Sequence, residues 1–200
     1  MQIKFNNKDE SFFRNNGYLI KKTNNIESLN YLRQKLVNFI FLKKPNIIKK
    51  IKKNNISNIF NNLHRLVKID ELNSLRIFII DNLNKDINFA QNYHNSAKEM
   101  LEFLVGNELA MQNRVNLSIQ MPEDNSSLID IHSDAFSGET PFQVVQWIPL
   151  VDVYDTKSMF ILSPEANRAA YPKLKWLAEE GGTSRWYEEV KNNVKCHSEV

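Results

Sequence analysis

Cysteine is almost missing from this chain: Cys196 is the only one in 200 residues. A lone thiol excludes an internal disulfide framework and fits a protein of the reducing cytoplasm. Also missing is any apolar run approaching the roughly 20 residues that a membrane helix needs. The opening residues, MQIKFNNKDE, do not read as a signal peptide. Charge of one sign is not in excess either. Lys and Arg total 26 against 23 Asp and Glu, so no global basic field argues for a nucleic-acid partner. No internal repeat or linker divides the chain, whose length suits one domain with a sizeable core.

What the first half does have is helical spacing. Residues 12–20 (FFRNNGYLI) read as a helix end, a turn at Asn16-Gly17 and a short strand, with Gly17 stopping the helix through a positive φ. Over residues 26–41, Ile26, Leu29, Leu32, Leu36, Phe39 and Ile40 recur at three- and four-residue steps, an amphipathic helix that Pro45 ends or follows. Lys43, Lys44, Lys49, Lys50, Lys52 and Lys53 crowd the next stretch. Such a run either contacts phosphate on a nucleotide- or lipid-linked substrate or forms a solvated helix face.

The helical spacing continues through residues 56–66, with His64 at or near the surface. Residues 70–82 and 89–104 give two further helices. Asp70 is the expected N-cap of the first. Tyr93, Ala97, Met100, Leu101 and Leu104 form the expected buried stripe of the second, with His94 beside it in a structural role and Gly106 closing it.

After residue 106 the period changes from helical to two. In residues 114–121 (RVNLSIQM), Val115, Leu117, Ile119 and Met121 share one face and Arg114, Asn116, Ser118 and Gln120 the other. The polar row faces either solvent or the interior of a barrel. Residues 144–150 (VVQWIPL) show little polar interruption and read as a strand buried on both faces, with Trp147 and Gln146 pointing oppositely. Residues 157–162 start another strand after a turn at Asp155-Thr156, and Lys157 or Ser158 sits where a rim residue or an acid-binding group would stand.

Between these segments stands His132-Ser133-Asp134. On a strand, residues i and i+2 project to one side, so His132 and Asp134 point together. They make two-thirds of the facial triad of two His and one carboxylate that holds a non-haem Fe(II) with open positions. His-x-Asp alone recurs by chance. Apolar strands on both sides and a turn at Ser137-Gly138-Glu139 give it the context of a barrel mouth.

The phrases NELAMQNRVNLSIQMPED, HSD, PFQVVQWIPLVDVY and TKSMFILSP resemble the phytanoyl-CoA-dioxygenase-like 2-oxoglutarate/Fe(II) oxygenases, and more closely the bacterial branch found in sporadic carbohydrate-biosynthesis clusters. The resemblance runs from about residue 12 to 200 and is densest over 108–164. It implies an α+β fold in which a helical N-terminal half (1–105) packs on a double-stranded β-helix, or jelly-roll, core (106–164). Residues 165–200 would then be a helical insertion leading to return strands. It further implies Fe(II), 2-oxoglutarate and O2 as cofactors and cosubstrate, and hydroxylation of a carbohydrate or carbohydrate-linked substrate in surface polysaccharide synthesis. His132 and Asp134 become the metal ligands. Trp147 would pack beside 2-oxoglutarate, and Asn116 and Ser118 would line the barrel interior toward it.

One departure from the family concerns the distal ligand. The family places a second His, then a basic residue for the 2-oxoglutarate carboxylate, after the insertion; here only His197 follows, with three residues behind it. A ligand needs a strand and a partner to fix its tautomer, and the expectation is a truncated, poorly active chain with open sheet edges prone to association. Two other classes use the same residues: a metal cupin with hydrolase or isomerase chemistry, and a non-catalytic jelly-roll binding protein.

Overall fold

The computed structural model describes residues 5–50, 56–124, 133–137, 139–140, 142–179 and 196–197. The chain divides into two compact units, Met1–Phe5 with Lys22–Leu128 and Asn6–Lys21 with Ile129–Val200.

The first unit is helical. Helix α2 (Ile26–Lys43) starts where Asn25 Oδ1 accepts the Ser28 N–H at 2.9 Å, and it buries Leu32, Leu36, Val37 and Ile40 at three- and four-residue steps. Pro45 opens a 3-10 turn, Pro45–Lys50, as its fixed φ and missing N–H favour. Two short helices, α3 (Ile56–Asn61) and α4 (Leu63–Leu66), lead into α5 (Ile69–Leu83). Leu72, Leu75, Ile79 and Leu83 give α5 its buried stripe, and Leu75 and Ile79 are wholly enclosed. Each such side chain contributes about 1.5–3 kcal/mol by leaving water. Helix α2 packs on α5 and on α6 (Ile87–Asn95).

Two helix boundaries differ from expectation. Helix α5 begins at Ile69 with Lys68 in the cap position, so Asp70 lies inside the first turn. Residues 89–104 form two helices, α6 and α7 (Lys98–Val105), because the junction is claimed from outside. Thr23 Oγ1 donates to the Ser96 carbonyl at 2.6 Å and Asn25 Nδ2 to the Asn95 carbonyl at 3.4 Å. Asn24 Nδ2 reaches Glu99 Oε2 at 2.7 Å. Gly106 ends α7 with φ 85, as a closing glycine should.

Residues 114–121 are extended, and their exposure alternates as the sequence requires: Val115, Leu117 and Ile119 are half-buried, Met121 is buried, and Arg114, Asn116, Ser118 and Gln120 are exposed. They join no sheet among the described residues. Helix α5 supplies their hydrogen bonds instead. Asn84 Oδ1 accepts the Val115 N–H at 2.7 Å, Asn84 Nδ2 donates to the Val115 carbonyl at 3.0 Å, and Arg76 Nη2 donates to the Ile119 carbonyl at 3.2 Å.

In the second unit, α1 (Asn7–Asn16) is closed at both ends. Asn6 Oδ1 accepts the Lys8 and Asp9 N–H groups while Asp9 Oδ2 accepts the Asn6 N–H, a capping box. Gly17, at φ 80, returns its N–H to the Phe13 carbonyl at 2.8 Å. A 3-10 turn (Asp134–Ser137), an extended run over residues 142–154, a second 3-10 turn (Asp155–Lys157) and helix α8 (Pro164–Glu179) follow. Helix α8 carries Pro172 inside it. Strands β1 (Ile161–Leu162) and β2 (Cys196–His197) pair antiparallel.

The expected jelly-roll core is therefore corrected. Among the described residues the fold is mostly helical, with eight α-helices and one ladder of two two-residue strands. No double-stranded β-helix is present there. The physical reason is visible at both candidate strands. Residues 114–121 take hydrogen bonds along one edge from α5 and its cap. Residues 142–154 join no strand ladder among the described residues, and Phe142 is 95 % and Val145 66 % exposed, so this segment is not the doubly buried strand its apolar run suggested. No helix among the described residues is long and apolar enough to cross a membrane.

Candidate functional site

Asp134 opens the 3-10 turn Asp134–Ser137, and its carbonyl accepts the Glu139 N–H at 3.1 Å, closing the bend that Ser137 and Glu139 were expected to make. Ser133 and Asp134 are half-buried. Helix α8 packs against this turn and against β1, so the turn rests on a helix. His132 lies outside the described residues, as does Gly138 of the turn.

Trp147 belongs to the same unit as Asp134. It lies on the extended run and is 40 % exposed, whereas a side chain stacked in a closed cosubstrate pocket would be shielded. Asn116 and Ser118 belong to the other unit and are exposed on the outward row of residues 114–121. The barrel interior that they were expected to line does not occur among the described residues. Lys157 is also exposed, its ammonium 4.7 Å from the Tyr154 ring centre, a cation–π contact.

His197 was expected to lack a supporting strand. Its backbone in fact pairs with Ile161 through β2. Among the described residues, no group of three or more His, Cys, Asp and Glu side chains stands close enough to hold a metal ion. Of the two expected ligands, only Asp134 lies among the described residues.

The lysine run is partly anchored. Lys44 pairs with Glu71, whose carboxyl is held below its ordinary value chiefly by that hydrogen bond, and Lys43 stands 5.2 Å from the Phe78 ring centre. Lys52 and Lys53 lie outside the described residues. His64 is exposed and His94 half-buried. Tyr93, on α6, has its phenol pushed up to about 12 by burial, which makes it a packed neutral group.

A feature the sequence reading passed over is an open groove along α5. Lys43, Asp70, Asn73, Ser74, Ile77, Phe78 and Asp81 line it. Its signal was in the sequence: Asp70, Asn73, Ser74, Ile77 and Asp81 keep the helical step on the side away from Leu72, Leu75 and Ile79.

Comparisons with protein-family models, with characterised proteins and with solved structures find no match.

Proposed function

We propose that this chain belongs to the lineage of 2-oxoglutarate- and Fe(II)-dependent oxygenases and acts in the cytoplasm on a carbohydrate or carbohydrate-linked substrate. The observation that carries the reading is the His132-Ser133-Asp134 phrase with its flanking apolar segments, 114–121 and 142–154. His132 and Asp134 would supply two ligands of the facial triad. Fe(II) held there, with 2-oxoglutarate and O2, would supply the chemistry for oxidising an unactivated C–H bond. The half-burial of Asp134 is compatible with a ligand held off bulk water.

A second reading is a binding protein that keeps the packing and holds no metal. The helical character of the described residues and the lack of a three-ligand cluster among them favour it.

Anaerobic titration with Fe(II) and 2-oxoglutarate separates the two, read by the weak metal-to-ligand charge-transfer band in the visible. The oxygenase reading expects a band that His132→Ala and Asp134→Ala abolish and Ser133→Ala keeps. Loss of the band in His197→Ala as well would identify His197 as the third ligand. A flat titration of the unaltered chain sinks the oxygenase reading and leaves the metal-free one.

A further inference from the structure

The extended segment 114–121 has two edges in very different states. In a strand the N–H and C=O of one residue point to the same edge, and successive residues alternate. Val115 and Ile119, both odd-numbered, are the residues bonded by Asn84 and Arg76. The spacing confirms an extended chain: Arg76 and Asn84 are eight residues apart on α5, about 12 Å of helix, and Val115 and Ile119 are four apart, about 13 Å only if fully extended. Helix α5 and its cap thus bond the odd edge at Val115 and Ile119.

The even edge carries the N–H and C=O groups of Asn116, Ser118 and Gln120. Among the described residues no hydrogen bond reaches these main-chain groups, and the three side chains are exposed. Open edges are normally blunted by charge, proline or a bulge. Residues 115–121 carry no charge and no proline.

We propose that this even edge is a self-association site, on which a second copy of the chain adds its own 114–121 segment antiparallel about a two-fold axis at Ser118. That register is complementary throughout. Ser118 faces Ser118 and Asn116 faces Gln120, and each even-numbered pair exchanges both main-chain hydrogen bonds. On the inner face Val115 meets Met121 and Leu117 meets Ile119, apolar against apolar. At each end Arg114 faces Pro122 of the other copy, where the chain turns. Pro122 lacks an N–H and ends the ladder. Helix α5, bonded to the odd edge, lies away from the partner strand.

The test is cross-linking on the full chain with Cys196→Ser removing the native thiol. In the hydrogen-bonded antiparallel pair, Cα atoms of facing residues lie about 5.5 Å apart, inside disulfide range. Ser118→Cys should give a covalent dimer under mild oxidation. Asn116→Cys, whose counterpart lies four residues further along the partner strand, should give little. Sedimentation velocity over a hundredfold concentration range should show a monomer–dimer shift that Ser118→Lys abolishes and Asn113→Lys leaves intact, with unchanged circular dichroism. A chain that stays monomeric throughout, or equal cross-linking through Asn116→Cys, overturns the proposal.

Discussion

Asn84 holds Val115 by both of its main-chain groups, accepting its N–H at 2.7 Å and donating to its carbonyl at 3.0 Å. One side-chain amide does here what a neighbouring strand does in a sheet. Each net hydrogen bond is worth about 1 kcal/mol, so Asn84→Ala should destabilise the first unit by roughly 1–2 kcal/mol. The Val115 amide should lose protection from hydrogen exchange while the α5 amides keep theirs. Unchanged protection at Val115 would mean that packing alone holds the segment.

Leu75 and Ile79 are each 0 % exposed, at the centre of the α5 stripe. Leu75→Ala leaves a cavity that its neighbours fill only partly and should cost about 2–5 kcal/mol. The urea midpoint should fall with little change in slope. Ile77→Ala, two residues along and on the opposite, exposed face, should change the stability by less than about 0.5 kcal/mol. Equal effects at the two positions would contradict the assignment of the buried face.

Asp86 caps α6 with one carboxylate oxygen and pairs with Lys35 Nζ at 2.8 Å through the other. Its carboxyl is held below the ordinary value, chiefly by that hydrogen bond with Lys35 and against an opposing effect of burial. The folded state therefore binds this proton less tightly than the unfolded one. The stabilisation is complete above the unfolded value of about 3.9 and is lost as pH falls through the lower folded value. Lys35 is held above its ordinary range, again chiefly by Asp86, so its share survives past about 10.4 and fades as pH rises through the folded value. Asp86→Asn keeps the cap acceptor and removes the charge. It should be less stable than the parent by roughly 0.5–1 kcal/mol at pH 7, with the gap closing in acid. Urea titrations at pH 7, 5 and 3 check this, and a pH-independent gap would refute it.

Gly17 adopts φ 80, and a Cβ built on it meets nothing within 4 Å. Substitution there is penalised by backbone conformation alone. Gly17→Ala should cost about 1–2 kcal/mol in the stability of α1, and Gly17→Asn, which tolerates left-handed geometry better, should recover part of it. Equal losses for the two variants would point to a contact instead.

The helices were legible because helical periodicity reports packing directly: the stripe of Leu32, Leu36 and Ile40 is the face that α2 buries. Gly17 and Gly106 were legible because helix ends that need a positive φ ask for glycine. The sheet was misread for a related reason. Alternation over residues 114–121 states that one face is packed, and that is what occurs; it does not state whether a strand or a helix bonds the edge. Asn84 and Arg76 decide that, from more than thirty residues away in the chain. The break at Ser96 was equally invisible, since it depends on Thr23 and Asn25. At the candidate site, Asp134 was read as a strand residue and instead opens a 3-10 turn, and the exposure of Trp147 at 40 % depends on what packs against it.

The stitch between the start of α2 and the α6–α7 junction also sets an order of events. Its bonds join residues separated by 73, 75 and 70 positions. Closing such a loop costs entropy before any bond forms. Helices α2 and α5 can nucleate early from their own apolar stripes, but the junction forms only once most of the first unit is already gathered. Thr23→Val should therefore leave the folding rate nearly untouched and accelerate unfolding, so Thr23–Ser96 acts as a late latch that lengthens the life of the folded state.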